Sequence, residues 1–224
     1  MKPWEVLGET RTPDGTAMAL TRRDKEFVIL ANGKSLMSSL MHGSEEALAA
    51  LACPKVRRVE EPSVLIGGLG MGFTLRAALN LLPAGARIIV AELVPAVVEW
   101  NRGPLGPLAE HPLKDRRVDV VVGDVANVLS SSRNLFDAVL LDVDNGPAAF
   151  TASANVGLYS DRGLAAARTA LKDSGVLAIW SAWDDRKFVQ RLRYAQFDVD
   201  VEHVRGRLKK GGPHHTIFLA RKRA

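Results

Sequence analysis

The 224-residue sequence holds one cysteine, two tyrosines and no long apolar run, and each scarcity closes off a class of protein. A lone thiol, Cys53, cannot form an internal disulfide, which fits a reducing compartment. No stretch approaches the roughly 20 apolar residues that span a bilayer. Met1-Lys2-Pro3-Trp4-Glu5 lacks the apolar core of a signal peptide, so a soluble cytoplasmic protein is expected. There is no Gly-x-Ser-x-Gly, which argues against a hydrolase built on a nucleophile elbow. His214-His215 resembles a metal pair, but adjacent strand residues point to opposite sides and no carboxylate or cysteine completes the set, so no metal is expected. The net charge is +5 and the sequence pI about 9.6. Much of that excess sits at residues 205–210 and at Arg221-Lys222-Arg223, without the interleaved aromatics that stack on bases. A solvated basic surface is therefore a better reading than nucleic-acid binding.

What is present is enough apolar material for a sizeable core: 47% hydrophobic residues against 25% charged ones. The length suits one α/β domain with a small appendage. Residues 4–11, 16–21 and 26–30 read as short strands of an antiparallel sheet, with Pro13-Asp14-Gly15 as a turn. A helix follows from Ser44, whose hydroxyl and the carboxylates of Glu45 and Glu46 suit a first turn; it is expected to stop near Cys53, before Pro54. From Ser63 onward, strand and helix alternate. Strands are expected at 63–66, 87–91, 118–122, 136–141 and 176–180, and helices at 73–82, 95–101, 125–129, 163–171 and 186–194. The early strands are continuous apolar runs, as in a parallel sheet covered on both faces. Residues 197–204 and 216–220 have no helix between them and should pair antiparallel. The expected architecture is an N-terminal β region with its linking helix (residues 1–53), then a Rossmann-like domain (54–224). That domain would hold a seven-stranded sheet ending in an antiparallel hairpin, as in class I methyltransferases, with the boundary in 54–62.

The candidate site residues fall at the carboxyl ends of these strands. Gly67-Gly68-Leu69-Gly70-Met71-Gly72 follows the first parallel strand and opens a helix. Glycines there permit a tight turn and close backbone approach to a ligand. Gly68, Gly70 and Gly72 are spaced as Gly-x-Gly-x-Gly, shorter than the pyrophosphate fingerprint of dinucleotide enzymes. Glu92 ends the next strand, where a carboxylate accepts both ribose hydroxyls and disfavours a 2′-phosphate. Asp124, followed by Val125, could accept from an exocyclic adenine amine or cap the next helix, and both readings stand. Asp142 and Asp144 end the fourth strand before Gly146-Pro147, where open α/β sheets place reacting groups; one could deprotonate an amine or hold an ammonium group. Tyr159, Trp180 and Trp183 could wall an apolar substrate pocket.

Together these residues resemble the spermidine synthase (aminopropyltransferase) family of class I methyltransferase-like folds, over most of the chain. The resemblance runs through Asn32-Gly33, the helix around Glu45-Glu46-Ala47-Leu48, the glycine loop 67–72, Glu92, Gly123-Asp124, the strand 136–142 with Gly146-Pro147, and Leu158-Tyr159. It implies decarboxylated S-adenosylmethionine, or S-adenosylmethionine itself, as cofactor, with methylthioadenosine or S-adenosylhomocysteine as product. Gly68, Gly70, Gly72, Glu92, Asp124, Val125 and Asp142 would hold it. Asp142 would be the base that deprotonates the attacking amine, and Asp144 the second acid of its loop. The loop is shorter than the family's, and Trp180 stands where the family places a glutamine. The resemblance implies aminopropyl transfer to a small amine acceptor by a homodimer. Methyl transfer to a small molecule and a non-catalytic nucleoside-binding protein are the alternatives.

Overall fold

The computed structural model describes residues 2–143, 157–207 and 212–223. Among these, two sheets share one core. The first holds β1 (Glu5–Arg11), β2 (Ala17–Arg23), β3 (Glu26–Ala31) and β4 (Lys34–Ser38), all antiparallel in chain order. The fourth strand was not expected. Asn32 and Gly33 both take positive φ, 47° and 75°, the geometry of a two-residue hairpin turn, so the chain returns along β3. The faces that β2 and β3 turn inward, with Met18, Leu20 and Ile29, join the same core cluster as the next helix.

That helix, α1 (Gly43–Val56), begins one residue earlier and ends three residues later than the sequence suggests. Ser44 does not cap it. His42 occupies the cap position without a side-chain cap bond, and the Ser44 hydroxyl donates to the Glu45 carboxylate at 2.6 Å. Pro54 lies within the last turn, where a proline removes one hydrogen bond from a helix whose Cys53 and Val56 are already anchored in the core.

The second sheet runs β10–β11–β9–β8–β5–β6–β7. Its members are β5 (Ser63–Gly67), β6 (Arg87–Glu92), β7 (Val118–Val122), β8 (Phe136–Leu141), β9 (Leu171–Ser181), β10 (Phe197–Arg205) and β11 (His214–Lys222). The pairs β5–β6, β6–β7, β5–β8 and β8–β9 are parallel, while β11 is antiparallel to both β9 and β10. The expected terminal hairpin and the Rossmann-like class I methyltransferase architecture are both present. Helices α2 (Phe73–Leu81), α3 (Pro95–Arg102), α4 (Val125–Ser131), α5 (Asp161–Ala170) and α6 (Arg186–Tyr194) cross between strands. All six residues of β8 are buried, as a central parallel strand requires. β7 departs from that expectation: it is the sheet's outer strand, so Val121 and Val122 are exposed. No helix among the described residues is long and apolar enough to cross a membrane.

After β5 the chain builds outward through β6 and β7, then returns to place β8 on the other side of β5. The strand order therefore reverses between β5 and β8, and in open α/β sheets ligands bind in the crevice at that reversal. At the opposite end of the same strands Asp137 ties three of them. Its carboxylate accepts from the Ser63 amide at 2.8 Å and from the Lys172 ammonium at 2.7 Å. The amide bond is the shielded one, and leaving that N–H unmatched sets the cost of losing it. Replacing Asp137 by Ala should destabilise the fold by about 2 kcal/mol, read as a lower urea midpoint with an unchanged slope.

Candidate active site

The crevice is lined on its floor by the glycine loop. Gly68, Gly70 and Gly72 have φ of +87°, +52° and +84°, so the alternate glycines are the positions where the backbone turns left-handed, which side chains resist. The closest approach is at Gly68: a Cβ there would stand 2.2 Å from the Asp142 carbonyl oxygen. The Asp142 amide in turn donates to the Gly67 carbonyl at 2.8 Å, so the ends of β5 and β8 are locked side by side. Asn101, on α3, donates through Nδ2 to the Gly70 and Val97 carbonyls and holds the loop from beneath.

Glu92 is buried at the end of β6. Its Oε2 accepts from the Leu69 amide at 2.8 Å and its Oε1 from the Val94 amide at 2.9 Å. These two amides fix the carboxylate in place. Asp124 serves as a cap, as one of its two readings required: Oδ1 accepts from the Ala126 amide at 2.8 Å, while the residue also lines the crevice with Val125. The roof comes from the N-terminal sheet, through Thr12, Met18, Ile29, Leu36 and Met37. The free space is about 830 Å³, its open mouth included.

A side cavity adjoins the crevice, sharing Leu36, Met37 and Asp142 with it. Its carboxylate end is made by Asp142 and Glu45. The Thr74 hydroxyl lies 2.6 Å from Asp142 Oδ2 and 3.3 Å from the Glu45 carbonyl, linking α2 to both. Burial first, and then the charge of Asp142, push the Glu45 carboxyl up to about 7. The far wall is Trp180, at the end of β9, packed against His215 of β11 with ring centroids 4.8 Å apart. Burial, and next the neighbouring His214, hold the His215 imidazole below the usual histidine range.

The structure thus brings Gly68, Gly70, Glu92, Asp124, Val125 and Asp142 to one crevice, places Gly72 at the start of α2, and puts Trp180 in the cavity beside it. Tyr159 lies elsewhere. It is buried in the core, edge-on to Phe188 with centroids 5.7 Å apart, because the turn before α5 packs under α6 rather than over the sheet's rim. Trp183 is half exposed and lines neither cavity. Asp144 lies outside the described residues, as do Gly146 and Pro147.

A family model for the spermine/spermidine synthase domain matches residues 41–201, from the start of α1 into β10. The chain belongs to the spermine/spermidine synthase family. Curated relatives in the family include a polyamine aminopropyltransferase of Thermoanaerobacter sp. (strain X514), 33% identical over 51% of this chain and 39% of that protein. Another, of Nitrosomonas europaea, is 31% identical over 56% of this chain and 37% of its own length. These alignments take in well under half of either relative. Among solved structures, a spermidine synthase in complex with the transition state analogue AdoDATO superposes with a TM-score of 0.70 at 19% identity, covering 97% of this chain and 72% of that one. Spermidine synthase from Thermotoga maritima gives 0.73 at 18% identity, with the same coverage. At that identity they support the fold.

The sequence of this member of the spermine/spermidine synthase family did not single out Glu45, Thr74 or the roof residues as parts of the site. Glu45 was read as a first-turn carboxylate satisfying the helix dipole; only the tertiary packing of α1 against α2 turns it into a cavity wall. Buried Glu45, beside Asp142, carries a pH signature. The Glu45 pKa is raised in the fold, so the folded chain keeps a proton that the unfolded chain has released, and stability falls as pH rises from about 4.5 through about 7. Glu45→Gln cannot titrate. Its melting temperature should therefore gain on the wild type between pH 5 and pH 8, measured by circular dichroism in matched buffers.

Proposed function

We propose that this chain is an aminopropyltransferase, moving the aminopropyl group of decarboxylated S-adenosylmethionine to an amine acceptor. One observation carries the reading. Two carboxylates, Glu92 and Asp142, stand at opposite sides of a crevice floored by left-handed glycines, each anchored by backbone or hydroxyl donors. In this reading Glu92 takes the ribose diol, and Val94, Val97 and Val125 cover the purine. The Asp124 oxygen not used in capping meets the adenine amine.

The cofactor supplies a carbon made electrophilic by its bond to a sulfonium. The residues do the rest. Asp142 takes a proton from the acceptor's ammonium group, freeing the nitrogen lone pair. The new N–C bond forms as the C–S bond breaks, its electron pair leaving sulfur as the neutral thioether of methylthioadenosine. The Thr74 hydroxyl, donating at 2.6 Å, keeps Asp142 turned toward the junction of crevice and side cavity. Alignment of amine and carbon contributes several kcal/mol of the barrier reduction. The names of the curated relatives and the extent of the family match support this assignment over methyl transfer.

The reading is tested by assaying both donors with a panel of amines. Turnover of the methyl donor, with no methylthioadenosine from the decarboxylated one, would sink it. Asp142→Asn should lower kcat by about 100- to 10,000-fold while methylthioadenosine affinity stays near wild type. Glu92→Gln should do the reverse, weakening the nucleoside by about 10- to 100-fold in calorimetry. The exposed outer strands β1 and β4 favour a homodimer formed through the N-terminal sheet; a monomer in light scattering at micromolar concentration would count against it.

A further inference from the structure

β4 breaks the alternation of a regular strand where it crosses the crevice. Ile29 pairs with Met37 and Leu30 with Ser35, so Leu36 is an extra residue without a partner on β3. Consecutive residues of a regular strand point to opposite faces. A bulge re-aims side chains, and here Leu36 and Met37 both line the crevice and both line the side cavity. The Met37 thioether rests on the glycine loop. Its Cε and Sδ lie 2.7 and 3.1 Å from where a Cβ on Gly70 would stand, on a turn that the Asn101 amide also pins through the Gly70 carbonyl.

With Glu92 on the ribose and Asp142 on the acceptor, the donor's sulfur falls between them, where crevice and side cavity join. Leu36, Met37 and Asp142 line both spaces. A sulfonium carries a full positive charge but no N–H or O–H, so it cannot donate hydrogen bonds as an ammonium does. It is met by negative charge and by soft, electron-rich groups, as quaternary ammonium ions are by aromatic faces. A thioether is such a group, polarisable and with lone pairs that accept weakly. When the acceptor's nitrogen bonds to the carbon, the C–S electron pair returns to sulfur and the positive charge passes to nitrogen. The attraction between Met37 and the sulfur is lost in that step. Such a contact adds to the affinity of the donor over the product rather than to kcat.

Resting on the transferase reading above, we propose that Met37 is a donor-positioning residue. Its thioether lies against the sulfonium and lets the site hold the charged donor more tightly than the neutral thioether left after transfer. The glycine loop supplies the surface on which that side chain is seated, and the bulge at Leu36 adds a hydrocarbon side chain to the same face.

Calorimetry on the purified full chain, without acceptor, decides it by comparing two ligands. One is decarboxylated S-adenosylmethionine; the other is S-adenosyl-3-thiopropylamine, the neutral thioether that carries the same aminopropyl arm. Met37→Leu keeps the bulk and removes the sulfur. It should weaken the sulfonium ligand by about 3- to 10-fold while the thioether ligand stays within about twofold of wild type. Met37→Ala should lower the ratio of the two affinities at least as far, whatever it does to each alone. In turnover, Met37→Leu should raise KM for the donor by a similar factor, with kcat near wild type and inhibition by methylthioadenosine unchanged. A merely structural role would move both ligands together, because they differ only in the methyl group and charge at sulfur. An unchanged affinity ratio in either folded variant, or a loss confined to kcat, overturns the proposal and leaves the transferase reading standing. A wild type that binds neither ligand overturns that reading and the proposal with it.

Discussion

There is no room for a side chain at residue 68. The space that a Cβ would take is filled by the carbonyl of Asp142, so the first βα turn and the end of β8 are in backbone contact. The architecture of the site follows from that contact. Because the strand order reverses between β5 and β8, the connections that follow them lead away in opposite directions. Pressed together, the two strand ends set the catalytic carboxylate of the proposed reaction on one flank of the glycine loop, and Glu92 on the other. The loop's left-handed glycines are the means by which a chain of L-residues achieves this, and Asn101 beneath them keeps the turn from relaxing.

Three of the carboxylates that line this region, Glu92, Asp142 and Glu45, differ in what surrounds them. Glu92 is met by two backbone amides, which stabilise the ionised form and fix both oxygens. Asp142 is met by the Thr74 hydroxyl. Glu45 has a hydroxyl and a like charge for company, and its carboxyl rises accordingly. The border between the two regions is Met37, whose Cε would lie 2.7 Å from a Cβ on Gly70. A flexible, unbranched side chain from the N-terminal sheet therefore separates the crevice from the side cavity.

Much of this was written locally in the sequence. The glycine spacing, the acid closing β6 and the apolar run of β8 are short-range patterns, and each fell where the pattern put it. The terminal hairpin was legible because no helix fits between residues 205 and 214. What was not legible depends on distant packing. Asn32-Gly33 carried a hairpin signal, but Lys34-Ser35-Leu36-Met37-Ser38 is too polar and too short to read as a strand, so the roof over the crevice was missed. Glu45 looks like any acid in a helix's first turn until α1 is laid against α2. Tyr159 and Trp183 were grouped with Trp180 by nearness to strand ends. The first turned inward to Phe188 and the second outward to solvent, choices made by the packing of α6 and by the backbone turn that Ser181 Oγ pins at residue 183.

The placing of β11 also bears on how the molecule comes together during synthesis. β11 slots between β9 and β10, and among the described residues β10 has no other strand neighbour. A nascent chain that has reached residue 205 therefore presents an open hydrogen-bonding edge along β9, with no strand yet to bond β10 into the sheet. The wall that Trp180 shares with His215 cannot exist at that stage. The crevice at the ends of β5, β6 and β8 can form on the ribosome well before the side cavity does.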